Sequence, residues 1–140
     1  MSYRYSAALQ TAVYAALTGD AGVIAVLGDA IYDAPLPGPA TEIPETYALI
    51  GEERVRDGST KTNDGAVHEL TVSVFTAAEG FRTAKEAAGA ICAALDDGDL
   101  TLDVGHLVAL RFLSARADRK SARTPRRIVL RFQAVIEAAD

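Results

Sequence analysis

Cysteine, histidine and tryptophan are almost missing from this chain: one Cys, two His and no Trp in 140 residues. With Cys92 alone, no internal disulfide can form and a zinc site built from several thiolates is excluded. The longest apolar run, Ala21 to Leu27, falls far short of the ~20 residues that span a bilayer, so no membrane partner is expected. The N-terminus is apolar, but Gln10 and Thr11 interrupt it, and it reads as a helix of the folded domain rather than a cleaved leader. Gly58-Ser59-Thr60-Lys61 ends like a phosphate loop but lacks the earlier glycine at the required spacing. His68 and His106 stand far apart in strand-like runs and read as surface or strand-edge residues. Cys92 has no evident base beside it and reads as a packing residue. Glu52 and Glu53 are neighbours, which a strand sends to opposite faces; like Asp96-Asp97 they read as a solvated rim. No catalytic, cofactor-binding or metal-ligating residue emerges, and the chain is predicted not to be an enzyme.

Apolar residues make up 49% and charged residues 24%, the balance of an ordinary globular protein. A chain of this length buries roughly 68–70% of its unfolded surface, enough for a core without staples. One domain, residues 1–140, is expected. The charge is unevenly spread. Residues 1–110 carry 6 basic and 16 acidic groups, and residues 111–140 carry 8 and 3, which together give the net −5. Eight of the fourteen basic residues fall between Arg111 and Arg131.

Leu9, Val13, Ala16 and Leu17 recur on one helical face, and Gly19 stops them. Asp20 then caps a second helix, Ala21 to Leu27, that Gly28 ends. Residues 29–34 read as a short extended piece. Four of the five prolines fall in 35–45 and make it a loop. Thr46 to Ile50 reads as a buried strand prolonged by Glu52 to Arg56, and 57–65 as a polar loop. His68, Leu70, Val72 and Val74 alternate with polar residues along the next strand. Helical spacing returns from Glu79 to Leu95, closed by Asp96-Asp97-Gly98, although acids there oppose the helix dipole. Two apolar strands, His106 to Leu113 and Arg127 to Ile136, flank a basic loop, 114–126. The order predicts an α+β fold: a mainly antiparallel four- to five-stranded sheet with two to three helices on one face. The predicted core joins Leu70, Val72, Leu110, Phe112, Ile128, Leu130 and Phe132 to Leu9, Val13, Phe81, Ile91 and Leu95. The opposite sheet face, with Thr71, Ser73, Phe75, Arg111, Val129, Arg131 and Gln133, is mixed enough to serve as a subunit interface.

The basic loop is the one candidate site, with Arg116, Arg119, Lys120, Arg123 and Arg126 as partner-docking residues. Clustered Arg and Lys are also the footprint of nucleic-acid binding. A stacking platform, however, needs aromatics beside the charges, and 114–127 has none; the acidic whole also repels a duplex. Docking onto an acidic protein surface is the reading preferred, with a merely solvated loop and a nucleic-acid-binding module as the alternatives.

Three stretches carry a resemblance. One runs from Ser6-Ala7-Ala8-Leu9-Gln10 to Leu27-Gly28-Asp29-Ala30-Ile31-Tyr32-Asp33. Another joins Tyr47-Ala48-Leu49-Ile50-Gly51-Glu52-Glu53 to His68 through Phe75. The last combines Lys85-Glu86-Ala87-Ala88 and Ile91 to Leu95 with the strands Leu107–Phe112 and Ile128–Phe132. In their order and spacing the chain resembles the tail-completion, or tail-terminator, proteins of long-tailed phages. It is most similar to the version found in gene transfer agents, phage-derived particles that package host DNA. The resemblance implies a structural protein without cofactor, made in the bacterial cytoplasm and built into the tail. It implies a hexameric ring of this chain that caps the tail-tube protein, ends tube growth and offers a surface to the head-side connector, or stopper, protein. DNA would pass through the channel without specific binding. Related shapes close the head instead, which is the alternative within the same particle.

Overall fold

The computed structural model describes residues 3–34, 36, 43–96 and 98–139. Three helices, α1 (Ser6–Thr18), α2 (Ala21–Leu27) and α3 (Arg82–Leu95), pack on one face of a five-stranded sheet. The strands are β1 (Ile31–Tyr32), β2 (Thr46–Asp57), β3 (Gly65–Thr76), β4 (His106–Asp118) and β5 (Arg126–Glu137), in spatial order β1-β2-β3-β5-β4. All neighbours are antiparallel except β1 and β2, so the predicted α+β class holds with one parallel pair at the edge.

Local chemistry explains most boundaries. The Asp20 carboxylate accepts the Val23 amide at 3.0 Å, capping α2, and Gly28 ends that helix at φ 60°, a conformation that costs glycine little. The third helix starts at Arg82, later than the spacing from Glu79 suggested. Asp96, just past its end, resolves the apparent conflict with the dipole: its carboxylate accepts the Phe112 amide of β4 at 2.9 Å. Gly105, at φ 86°, lets the chain pass Tyr5; a Cβ there would lie 2.7 Å from the Tyr5 ring. Most of the Pro-rich stretch 35–45 lies outside the described residues.

The core lies between sheet and helices. Every even-numbered residue of β3 from Ala66 to Thr76 is buried, and so is every even-numbered residue of β5 from Ile128 to Ile136. They meet Leu9, Val13 and Leu17 of α1 and Ala84, Ile91 and Leu95 of α3. Phe132 is fully buried, as predicted, and Phe81 packs against the core while only half-buried. Phe112 departs from its predicted place in the core: it is 40% exposed. It faces the helix side, edge-on to Phe132 at 5.9 Å, but β4 is an edge strand with no further strand beside it, which leaves the ring partly open to solvent. Two irregularities in β4, at Val108 and Leu113, turn further apolar side chains to solvent.

Register assigns the loops to two ends. Thr76 pairs with both Thr46 and Arg126, so the start of β2 and the β4–β5 turn share one end. Gly65 and His106 both pair with Glu137, which puts the β2–β3 loop, residues 58–64, at the other.

Candidate functional site

The basic segment is narrower and better held than the predicted loop 114–126. β4 runs to Asp118 and β5 begins at Arg126, which leaves a turn of 119–125. That turn is closed by its own hydrogen bonds. The Arg119 guanidinium donates to the carbonyls of Ala122 (2.9 Å) and Thr124 (3.1 Å). The Ser121 amide donates to Thr124 Oγ1 at 3.0 Å, and that hydroxyl donates back to the Ser121 carbonyl.

The base of the hairpin is clamped by charge. Asp118 takes a two-pronged contact from Arg127, at 3.1 and 3.0 Å, and a third from Arg116 at 3.3 Å. The hydrogen bonds from Arg127 hold the Asp118 carboxyl below the usual carboxylate range. Arg126 reaches sideways, donates to the Ala78 carbonyl at 3.0 Å and lies over the Phe81 ring. The five predicted docking residues therefore divide. Arg116, Arg119 and Arg126 are engaged within the fold, whereas Lys120 and Arg123 point to solvent with no ion pair among the described residues.

The fold also brings to this end what the local sequence lacks. Tyr47 stacks on Phe75 at 5.2 Å, and Tyr32 meets Tyr47 edge-on at 6.1 Å. Next to them opens a hollow of ≈ 390 Å³, walled by Ile43, Pro44, Tyr47 and Pro125 and rimmed by Arg119, Arg123 and Arg126. Sequence reasoning missed these aromatics because they come from β1, β2 and β3. The absence of aromatics within 114–127 therefore no longer argues against nucleic acid; the net acidity still does. A surface of this kind can take an acidic side chain flanked by apolar ones.

A second polar cluster was also misplaced by the sequence reading. His68 is not at a surface or edge but fully buried in central β3. Glu53 is not a solvated rim. An irregularity between Ile50 and Glu53 turns its carboxylate to the helix side, where Oε2 lies 3.1 Å from His68 Nδ1. Its Oε1 accepts from Tyr3 Oη at 2.7 Å and Ser6 Oγ at 2.5 Å. Burial pushes the Glu53 carboxyl up, but the bonds from Ser6, Tyr3 and His68 outweigh it and hold it below its usual value. A carboxylate only accepts, so Nδ1 carries the proton; Nε2 is buried without a partner among the described residues. The cluster ties the N-terminus of α1 to the sheet.

The remaining candidates are inert. Cys92 is half-buried, and burial together with Asp96 pushes its thiol up, away from nucleophilic character. Ser59 Oγ bonds to Asp57 and Asp64, carboxylates that repel a phosphate. His106 is exposed at the start of the edge strand, as predicted. Among the described residues no three acidic, His or Cys side chains converge on a metal position.

Comparison with known proteins agrees with a particle component. Residues 11–137 match the family model described as tail completion protein gp17. A solved chain from the virion of a native gene transfer agent particle is 48% identical, with a TM-score of 0.89 over 98% of this chain and 100% of that one. No curated protein sequence matches significantly.

Proposed function

Given that the chain belongs to the tail completion protein gp17 family, we propose that it is the tail terminator of a gene-transfer-agent-like particle. In this reading it caps the tail tube as a hexameric ring, ends tube growth and joins the tail to the head-side connector. Its role is structural, with no reaction catalysed. The observation that carries this is the 48% identity, along nearly the full length of both chains, to a virion component.

The geometry suits such a part. The strands run between two polar ends, one with the basic turn 119–125 and the other with the loop 58–64. A ring piece that stops one assembly and receives another needs two such ends. Lys120 and Arg123, with the hollow beside them, are the docking elements for an acidic neighbouring ring.

Deleting the gene in a particle-producing host tests the role. A terminator's loss gives tubes of uncontrolled length and heads without tails. Tails of normal length beside heads that lose their DNA would overturn it in favour of head closure.

A further inference from the structure

We propose that the hollow beside the basic turn seats one extended segment of the adjoining protein, a carboxylate side chain entering it next to a bulky apolar one. This rests on the terminator role proposed above and names the partner's recognition element.

The wall of the hollow selects an anion. Its threonine hydroxyls are spent within the fold. Thr76 Oγ1 is bonded to Thr46 Oγ1 at 2.8 Å and accepts the Ala78 amide, while Thr124 Oγ1 is bonded to Ser121 in both directions. The guanidinium groups are not spent. Arg119, Arg123 and Arg126 stand at the rim, and none has an ion pair among the described residues. Arg119 and Arg126 donate only to main-chain carbonyls. A neutral acceptor fixes the position of a guanidinium without cancelling its charge, and each group keeps N–H donors to spare. Arg116 and Arg127 do not count here, because both are turned to Asp118. Glu45 is the one acid on the described wall, and Glu42, nearby in sequence, lies outside the described residues. Three cations outnumber these two acids, so the local surplus is positive.

The rest of the wall sets the body that carries the anion. Ile43, Pro44, Tyr47 and Pro125 offer apolar contact beside the cations. Pro44 and Pro125 have no amide hydrogen, so this wall cannot add a strand by main-chain pairing, and side chains must make the recognition. At ≈ 390 Å³ the hollow lies low in the ~300–1,000 Å³ range of ligand pockets, room for a few side chains and not for a helix. Nucleic acid fits less well. A base stacks on an open ring face, whereas Phe75 already lies against one face of Tyr47 and Tyr32 meets it edge-on. A long polyanion also meets the net −5 of the chain, while a short acidic segment meets the local surplus, since exposed charges are screened beyond ~8 Å.

The test asks what occupies the hollow in assembled particles. The photoreactive residue p-benzoylphenylalanine takes the place of Ala122, an exposed wall residue that serves the turn through its main-chain carbonyl. Purified particles are irradiated and the linked peptide is sequenced by mass spectrometry. The expected capture is one segment of a second particle protein with Asp or Glu beside an aromatic or branched aliphatic residue. The same photoreactive residue in place of Lys61, at the other end of the sheet, should not capture it. In a second arm, Arg123→Glu should lower the yield of joined particles roughly tenfold or more, and a Lys in place of the captured carboxylate should restore it. Capture of DNA, of a segment without acids or of this chain's own residues would overturn the proposal. So would no capture although the chain is in the particles, parental joining with Arg123→Glu, or a charge swap that restores nothing. All of these leave the terminator role standing, because that role is read from tube length in the deletion strain. Parent particles that lack the chain altogether would overturn both.

Discussion

Two phenylalanines that face each other across β4 and β5 separate what packing protects from what an edge exposes. Phe132 is fully buried, and Phe132→Ala should destabilise the fold by about 3–5 kcal/mol. Phe112 touches it but is 40% exposed, so Phe112→Ala should cost about half of that or less. Urea unfolding of the two variants checks the ratio; equal losses would mean that the β4 edge is covered. The Glu53 cluster makes a pH prediction. Its folded carboxyl lies below the usual value of about 4.3, so its stabilisation is present above that pH and is lost as pH falls through the folded value. Glu53→Gln removes the charge and gives His68 Nδ1–H an amide nitrogen or a weaker acceptor. It should cost roughly 1–3 kcal/mol at pH 7 and progressively less toward acid. Unfolding curves for parent and variant that stay equally far apart at pH 3 and pH 7 would refute the assignment.

At the level of elements, the sequence made both strand faces of β3 and β5 readable, because both strands are central and alternate strictly. His68 stood in that alternation with Leu70, Val72 and Val74, so its burial was legible and was overridden by the general preference of histidine for surfaces. The position of Glu53 was not legible, because it depends on an irregularity opposite β3 that no local pattern marks. The same holds for the exposure of Phe112, which depends on β4 lying at the edge of the sheet. The basic turn was found by composition, but its internal bonds were not. They alter how docking should be tested. Removing Arg119 or Arg126 unmakes contacts within the fold. Lys120→Ala with Arg123→Ala removes no side-chain hydrogen bond or ion pair among the described residues, and should leave thermal stability within about 0.5 kcal/mol while lowering the yield of joined particles. Each exposed pair is worth only about 0–1 kcal/mol, but a ring repeats it and the contacts act together. Joined particles at parental yield would remove these two residues from the docking surface.

For the whole molecule, the proposed ring would turn either the open sheet face or the helix face toward its channel. On the open sheet face Arg131 neutralises Glu69 and Arg127 neutralises Asp118, while Arg54 and Arg111 stay exposed beside them. On the helix face, α1 and α2 together carry no basic residue. A bore lined by α1 and α2 should show no net positive band, which suits the proposed channel for DNA. Duplex DNA carries one charge per ~1.7 Å, and a protein that neutralises several phosphates holds it with an affinity that falls steeply with salt. A bore lined by Arg116, Arg119 and Lys120, repeated round a ring, would do that. DNA release from particles should therefore be nearly insensitive to salt between about 50 and 200 mM, and Glu52→Gln or Glu69→Gln should slow it if the sheet face is the lining. A ring map with those three cations at its narrowest point, or release that quickens sharply with salt, would show that the proposed ring grips DNA.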